Sequence, residues 1–133
     1  MFVLKNPLVV KWEKKLQDVF DRIDERLEET YGDKFPLRPN RPKAGQGVGA
    51  DADGLFDLGI SFSAGFGSSL GPGYVFTVRI ATLQKVPKQF KSKVETEVLN
   101  MLKEELPKNF PNRNLKVDRD GNLFKVYGDL DLN

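Results

Sequence analysis

The sequence of 133 residues contains no cysteine and no histidine. Without cysteine, the chain can form no disulfide, thiolate metal site or thiol nucleophile. Without histidine, it also lacks the side chain that most often acts as a general base or binds a transition metal. Ser68 and Ser69 therefore have no histidine to activate them, and they lie in no nucleophile-elbow pattern. These absences favour a protein that is not an enzyme and uses no cofactor, and leave carboxylate- or lysine-based catalysis as the enzymatic alternative.

The chain also lacks a strong charge of one sign and a long apolar run. It has 21 basic and 19 acidic residues, a formal net charge of +2, whereas nucleic-acid-binding domains usually have a clear basic bias. The segment 1–10 includes Lys5, Asn6 and Pro7 and is not apolar enough for a signal peptide or a membrane span. We therefore expect a cytoplasmic protein with no membrane segment.

What the chain does contain is a pair of similar segments. In each, a leucine is followed eight positions later by Phe-Pro-x-Arg and further on by Asp-x-Asp-Gly: Leu27, 35–38 and 51–54, then Leu102, 110–113 and 118–121. Repetition of this kind indicates supersecondary units that need a neighbour to bury their apolar faces. The pattern suggests an internal duplication. The alternative is that unrelated helix ends and turns use similar residues, because the Asp-Gly steps occupy different places in the two segments.

The spacing of apolar residues predicts two helices and two hairpins. Apolar residues three and four positions apart predict amphipathic helices over 7–31 and 87–106, with Pro107 ending the second. Alternating apolar residues predict β-hairpins over 55–83 and 114–128. Because a sheet with one apolar face needs a cover, the helices should pack on it. The sequence therefore predicts one α+β domain over 1–133, a two-layer sandwich with a four-stranded antiparallel sheet and both helices on one face, in the order helix, hairpin, helix, hairpin.

The segment 33–54 is rich in proline and glycine, and loops of this length are usually functional or disordered. Arg38, Arg41 and Lys43 precede Gly45, Gly47 and Gly49. Backbone N–H groups at glycines can approach an anion, and flanking cations strengthen such a site. The spacing matches neither known phosphate-loop fingerprint, so the alternative is a flexible exposed loop. We predict that the loop 38–54 is the main binding site.

A second basic group lies at the start of the second helix, at Lys85, Lys88, Lys91 and Lys93. Cations at a helix N-terminus oppose the helix dipole. We predict that Lys85, Lys88 and Lys91 assist the loop in binding an anion. The alternative is a solvated helix face on which Lys91–Glu95 and Lys93–Glu97 form pairs four residues apart.

Asp51, Asp53 and Asp57 cluster around Gly54, and carboxylate oxygens are ligands for Ca²⁺ or Mg²⁺. The remaining ligands of a calcium-binding loop are missing, so turn formation by aspartate is the alternative.

One face of the first predicted hairpin carries small side chains, with only Asp57 and Arg79 charged. Such a face suggests cover by a partner, and we predict a homodimer there. A solvated Ser/Thr face is the alternative. The small residues of this face are Gly59, Ser61, Ser63, Val75, Thr77 and Ala81.

Our leading hypothesis is a small non-catalytic binding or adaptor module that engages a protein or anionic partner through the loop 38–54. The second hypothesis is a nucleic-acid-binding domain that uses the same basic groups, whose affinity would fall steeply with salt. The third is a metal-dependent hydrolase built on Asp51, Asp53 and Asp57.

Overall fold

A computed structural model describes residues 7–37, 39 and 54–128. Its α+β class and its four-stranded antiparallel sheet confirm the predicted fold. Within the described residues, neither helix is long and apolar enough to cross a membrane. The elements in chain order are α1 (Pro7–Tyr31), β1 (Phe56–Asp57), β2 (Ile60–Ser63), β3 (Gly73–Phe76), β4 (Arg79–Ile80), α2 (Lys88–Asn109), β5 (Leu115–Asp120) and β6 (Leu123–Gly128).

The first predicted hairpin is split into four short strands that share one register. Phe56 pairs with Ile80 in the two-stranded sheet β1–β4, and Ile60 pairs with Phe76 in the β2–β3 pair. Phe56 and Ile60 are four residues apart, and so are their partners Ile80 and Phe76. The break between the two strand pairs therefore contains no extra residue on either side. Leu58 and Val78, within the interruption, are both buried.

The four-stranded sheet has the order β2–β3–β6–β5, with every neighbouring pair antiparallel. The second strand of each hairpin lies in the centre, where Tyr74 faces Val126. The first strands, β2 and β5, form the edges. The internal duplication stays a prediction.

The two helices run antiparallel. The ring of Trp12, near the start of α1, lies 5.2 Å from the ring of Phe110, directly after α2. At the other end, the ring of Tyr31 lies 5.4 Å from that of Phe90. The end of α1 therefore lies beside the start of α2.

Both helices cover the same face of the sheet, because their apolar stripes and the inward-facing strand residues form one core. Complete burial of a large apolar side chain stabilises a fold by about 1.5–3 kcal/mol. The most deeply buried members are Leu16, Val19, Phe20, Ile23 and Leu27 from α1, Val94, Val98, Leu102 and Leu106 from α2, and Phe56, Phe76, Phe124 and Val126 from the strands.

α2 does not end at Pro107, as the sequence analysis expected, but continues through it to Asn109. A proline within a helix loses one backbone donor, and three contacts stabilise the last turn. Leu106 is buried in the core. The backbone N–H of Phe110 donates to the Leu106 carbonyl at 2.8 Å, and the Asn109 amide donates to the Glu105 carbonyl at 2.8 Å.

Candidate functional site

The described residues that flank the predicted binding loop lie at one end of the molecule. Before the loop, the ring of Phe35 packs 5.3 Å from that of Phe90 in the first turn of α2. After it, the chain returns at Gly54, against the Glu28 side chain near the end of α1. We call this region, with the neighbouring Lys85, Lys88 and Lys91, the lysine end. Arg38, Arg41, Lys43, Gly45, Gly47 and Gly49 lie outside the described residues.

The return of the chain at Gly54 is fixed by the Glu28 carboxylate. Oε1 of Glu28 accepts the backbone N–H of Phe56 at 2.8 Å. Gly54 has a φ of +90°, and a Cβ built on it would overlap that carboxylate. Only glycine adopts this backbone conformation readily and also leaves room for the glutamate. One carboxylate thus holds both the glycine and the first residue of β1.

Lys85, Lys88 and Lys91 are exposed, and among the described residues none of them forms an ion pair. The expected Lys91–Glu95 and Lys93–Glu97 pairs do not form, because the two glutamates have other partners. Glu95 pairs with Arg119 at 3.5 Å, and Glu97 accepts the Tyr31 hydroxyl at 2.7 Å. The Lys93 ammonium lies 5.6 Å from the centre of the Tyr31 ring. The two predicted pairs were therefore wrong, whereas the exposure of all four lysines agrees with a solvated helix face.

The start of α2 adds positive potential. Its N-cap residue is Pro87, no side chain caps the helix, and its first turn contains no acidic residue. Free N–H groups at a helix start carry about half a positive charge. With exposed lysines beside them, these groups make the start of α2 electrostatically suited to an anion.

The structure assembles no metal site in the described part of the chain, where no group of three or more Asp or Glu side chains could hold an ion. Asp57 is half-buried in β1 opposite Arg79. Asp51 and Asp53 lie outside the described residues. The metal-dependent hydrolase stays a prediction.

A buried polar cluster that the sequence analysis did not identify lies on the sheet face away from the helices. Lys125 is 1% exposed. Its ammonium donates hydrogen bonds to Ser68 Oγ at 3.0 Å and to the Gly71 carbonyl at 2.8 Å. It also forms an ion pair with Asp120 at 2.8 Å. Ser68 Oγ donates in turn to Asp120 at 2.6 Å. Asp120 accepts hydrogen bonds from Lys125 and from Ser68, and both lower the pKa of its carboxyl. The bond from Lys125 has the larger effect.

The cluster places a serine beside a lysine, yet its geometry is that of an anchor rather than a catalytic pair. An ammonium has three donors and no acceptor, and Lys125 directs them at three oxygens. All three donors of Lys125 are thus directed at oxygens of the cluster, with Ser68 Oγ among them. The contacts instead fasten the connection between β2 and β3 onto the sheet.

The small-residue face predicted to form a homodimer has mixed exposure. Gly59 and Ser61 are exposed, Val75 and Thr77 are half-buried, and Ala81 is buried. The structure describes a single chain, and the homodimer stays a prediction.

A family model described as "Uncharacterised protein" matches residues 7–128. The chain belongs to this family. The matched span begins with the first residue of α1 and ends with the last residue of β6, so it includes both helices and every strand described.

The chain is also similar to an "Uncharacterized protein" of Borreliella burgdorferi (strain ATCC 35210 / DSM 4680 / CIP 102532 / B31). The two are 35% identical over 106 residues, which is 80% of this chain and 83% of the relative. No solved structure matches the chain significantly. The comparisons thus establish the family and indicate no function.

Proposed function

We propose that this protein is a small non-catalytic binding or adaptor module that engages a protein or anionic partner through the lysine end and the loop 38–54. One observation carries the proposal. The chain enters the loop at Phe35 and returns at Gly54, both at the same end of the molecule as the uncapped start of α2. Arg38, Arg41 and Lys43 follow the first of these points in the sequence.

The charge arrangement supports an anionic partner. Each exposed cation at a helix N-terminus opposes the helix dipole by about 0.3–1 kcal/mol. Lys88 and Lys91 carry this cost with no carboxylate partner among the described residues. An anion bound there would attract both the lysine side chains and the helix N-terminus. It would thus offset the repulsion between the lysines and the helix dipole.

The partner of Glu95 also supports the proposal. Glu95 lies four residues from Lys91, where it could pair with that lysine, and it pairs instead with Arg119 at 3.5 Å. Within the described residues Lys91 is therefore not neutralised by an ion pair, in a chain whose net charge is only +2.

Nucleic acid is the second candidate partner, because phosphates would bind the same lysines. The two candidates differ in how binding responds to salt. Neutralising several phosphates of a nucleic acid releases counterions, and the affinity then falls steeply with salt concentration. Recognition of an acidic protein surface includes apolar and hydrogen-bonded contacts, and we expect it to have a shallower dependence.

Two further parts of the proposal concern assembly and location. We propose that the protein is cytoplasmic and that it forms a homodimer through the small-residue face of the first hairpin, which carries Gly59, Ser61, Ser63, Val75, Thr77 and Ala81. Replacing Ser61 with Lys would place like charges against each other across that interface. Sedimentation of the native chain as a monomer at all concentrations would remove the dimer from the proposal.

Backbone amide NMR tests the binding proposal directly. An acidic peptide and a single-stranded oligonucleotide are titrated separately into the isotopically labelled protein. We expect the largest shifts in 85–97 and in the loop 38–54. The variant Lys88→Gln/Lys91→Gln should lose these shifts. The control Lys103→Gln/Lys108→Gln, with the same charge change at the other end of α2, should keep them. Shifts spread evenly over all lysines would contradict the proposal.

A further inference from the structure

A cleft at the opposite end of the molecule separates the start of α1 from the turn that follows α2. It encloses about 270 Å³. Because the helices are antiparallel, it lies far from the lysine end. Its walls include Lys11, Trp12, Lys15, Phe110, Asn112 and Arg113.

The walls of the cleft are cationic. They contain Lys11, Lys15 and Arg113 and no Asp or Glu. Lys11 and Lys15 are four residues apart and so share a face of α1, where like charges repel. Among the described residues neither lysine forms an ion pair. An oxyanion in the cleft would relieve this repulsion.

The floor of the cleft is aromatic. Trp12 is 9% exposed and Phe110 is 5% exposed, and the Lys15 ammonium lies 5.2 Å from the centre of the Phe110 ring. The indole Nε1 of Trp12 is buried and has no hydrogen-bond partner in the described part of the chain. Buried N–H groups without an acceptor are rare in folded proteins, so this atom marks a place where an external acceptor would be favoured.

The turn after α2, which lines the cleft, is closed by a backbone hydrogen bond. The backbone N–H of Arg113 donates to the Phe110 carbonyl at 3.1 Å, which closes a tight turn containing Pro111. Proline at this position restricts the backbone of the turn. Phe110 is fixed in the core by Trp12, so the turn is anchored to α1.

We propose that this cleft binds a small ligand with a phosphate monoester group on an apolar body. Lys11, Lys15 and Arg113 bind the phosphate, as cations commonly do through charge-assisted hydrogen bonds. The apolar body lies against the edges of Trp12 and Phe110. This site is distinct from the lysine end, and it concerns a small molecule rather than a macromolecular partner.

The only tryptophan in the sequence is Trp12, so its fluorescence reports on the cleft. Phenyl phosphate is the probe, and phenol is the matched compound without the anionic group. We expect a saturable change in Trp12 emission with phenyl phosphate and none with phenol at the same concentrations. In Lys11→Gln/Lys15→Gln the affinity should fall by about tenfold or more, since a hydrogen bond to a charged group commonly contributes that much.

Two control variants make the result specific. Lys14→Gln changes a neighbouring lysine of α1 that pairs with Asp18 at 2.8 Å and does not line the cleft, and it should bind like the native protein. Lys88→Gln/Lys91→Gln removes the lysine end and should also bind phenyl phosphate normally, which separates this test from that of the proposed function. Circular dichroism confirms that each variant is folded.

Three results would overturn the proposal. The first is the absence of a saturable emission change with phenyl phosphate. The second is an equal response to phenol, which would indicate an apolar pocket without anion recognition. The third is an unchanged affinity in the folded Lys11→Gln/Lys15→Gln variant.

Discussion

The hydroxyl of Tyr31 donates a 2.7 Å hydrogen bond to Oε1 of Glu97. The bond joins the last residue of α1 to the first half of α2. Lys93 contacts the Tyr31 ring instead of the glutamate. This contact therefore contributes to the packing of the two helices.

Replacing Tyr31 with Phe should lower stability at neutral pH. The hydrogen bond to Glu97, followed by burial, raises the pKa of the Tyr31 hydroxyl above its ordinary value of 10.0. Because the pKa of Tyr31 is higher in the folded than in the unfolded protein, the hydrogen bond stabilises the fold fully below pH 10. This stabilisation is lost as the pH rises through the raised pKa of the folded protein. The denaturant midpoints of the native and Tyr31→Phe proteins should therefore differ at pH 7 and converge in strong alkali.

Glu97→Gln is the conservative control for that prediction, because the glutamine carbonyl can still accept the hydroxyl. We expect it to keep most of the stability at neutral pH and to reduce the pH dependence, since the charge that raises the pKa of Tyr31 is removed. Equal midpoints for the native and Tyr31→Phe proteins at neutral pH would show that the bond contributes nothing to the fold.

Replacing Gly54 with Ala should destabilise the protein more than the same change at Gly67. Both glycines have positive φ angles, +90° and +78°, and alanine in that region costs about 1–2 kcal/mol. At Gly67 an added Cβ meets nothing within 4 Å, whereas at Gly54 it overlaps the Glu28 carboxylate. We expect a loss of about 1 kcal/mol for Gly67→Ala and about 2–3 kcal/mol for Gly54→Ala from chemical denaturation. Equal losses would mean that Glu28 moves aside freely.

Replacing Lys125 with Met should cost about 2 kcal/mol, because it leaves Asp120 and the Gly71 carbonyl without their buried donor. Methionine keeps the apolar stem, so the change isolates the ammonium group. Lys116→Met, an exposed lysine on the neighbouring strand, is the matched control and should change stability by less than about 0.5 kcal/mol. An unfolding midpoint of Lys125→Met equal to that of the native protein would contradict the role of the Lys125 ammonium as an anchor.

The same cluster predicts a pH dependence in acid. Lys125 and Ser68 lower the pKa of Asp120 below its ordinary value of 3.8. A lowered folded-state pKa gives stability that is present above pH 3.8 and is lost as the pH falls through the folded value. The stability difference between the native protein and Asp120→Asn should therefore shrink in strong acid. A stability difference between the two proteins that stays constant into strong acid would show that the Asp120 carboxylate is not held in its charged form.

The sequence was sufficient for elements with a clear periodic pattern. The apolar stripe containing Leu16, Val19, Ile23 and Leu27 predicts α1 with its observed bounds. The alternation around Phe124 and Val126 predicts β6 and its buried face. In these cases local spacing and tertiary burial agree, so one pattern determines both the element and its orientation.

The sequence was insufficient where long-range contacts decide the outcome. α2 passes Pro107 because Leu106 and Phe110 are buried, which a local rule for proline does not include. Lys125 alternates with two buried apolar residues and so resembles a solvent-facing lysine, yet the segment around Ser68 covers it. The partners of Glu95 and Glu97 lie outside α2, whereas spacing along a helix predicts only partners within it.

The most direct test of the proposed function is the affinity of a fluorescently labelled acidic peptide, measured by anisotropy for the native protein and for Lys88→Gln/Lys91→Gln. We predict that the folded variant binds about tenfold or more weakly, while Lys103→Gln/Lys108→Gln binds like the native protein. The native affinity should fall as salt is added, because part of the attraction is electrostatic. Equal affinities for the native protein and Lys88→Gln/Lys91→Gln, or no binding by the native protein at low salt, would contradict the assignment of the lysine end as an anion-binding surface.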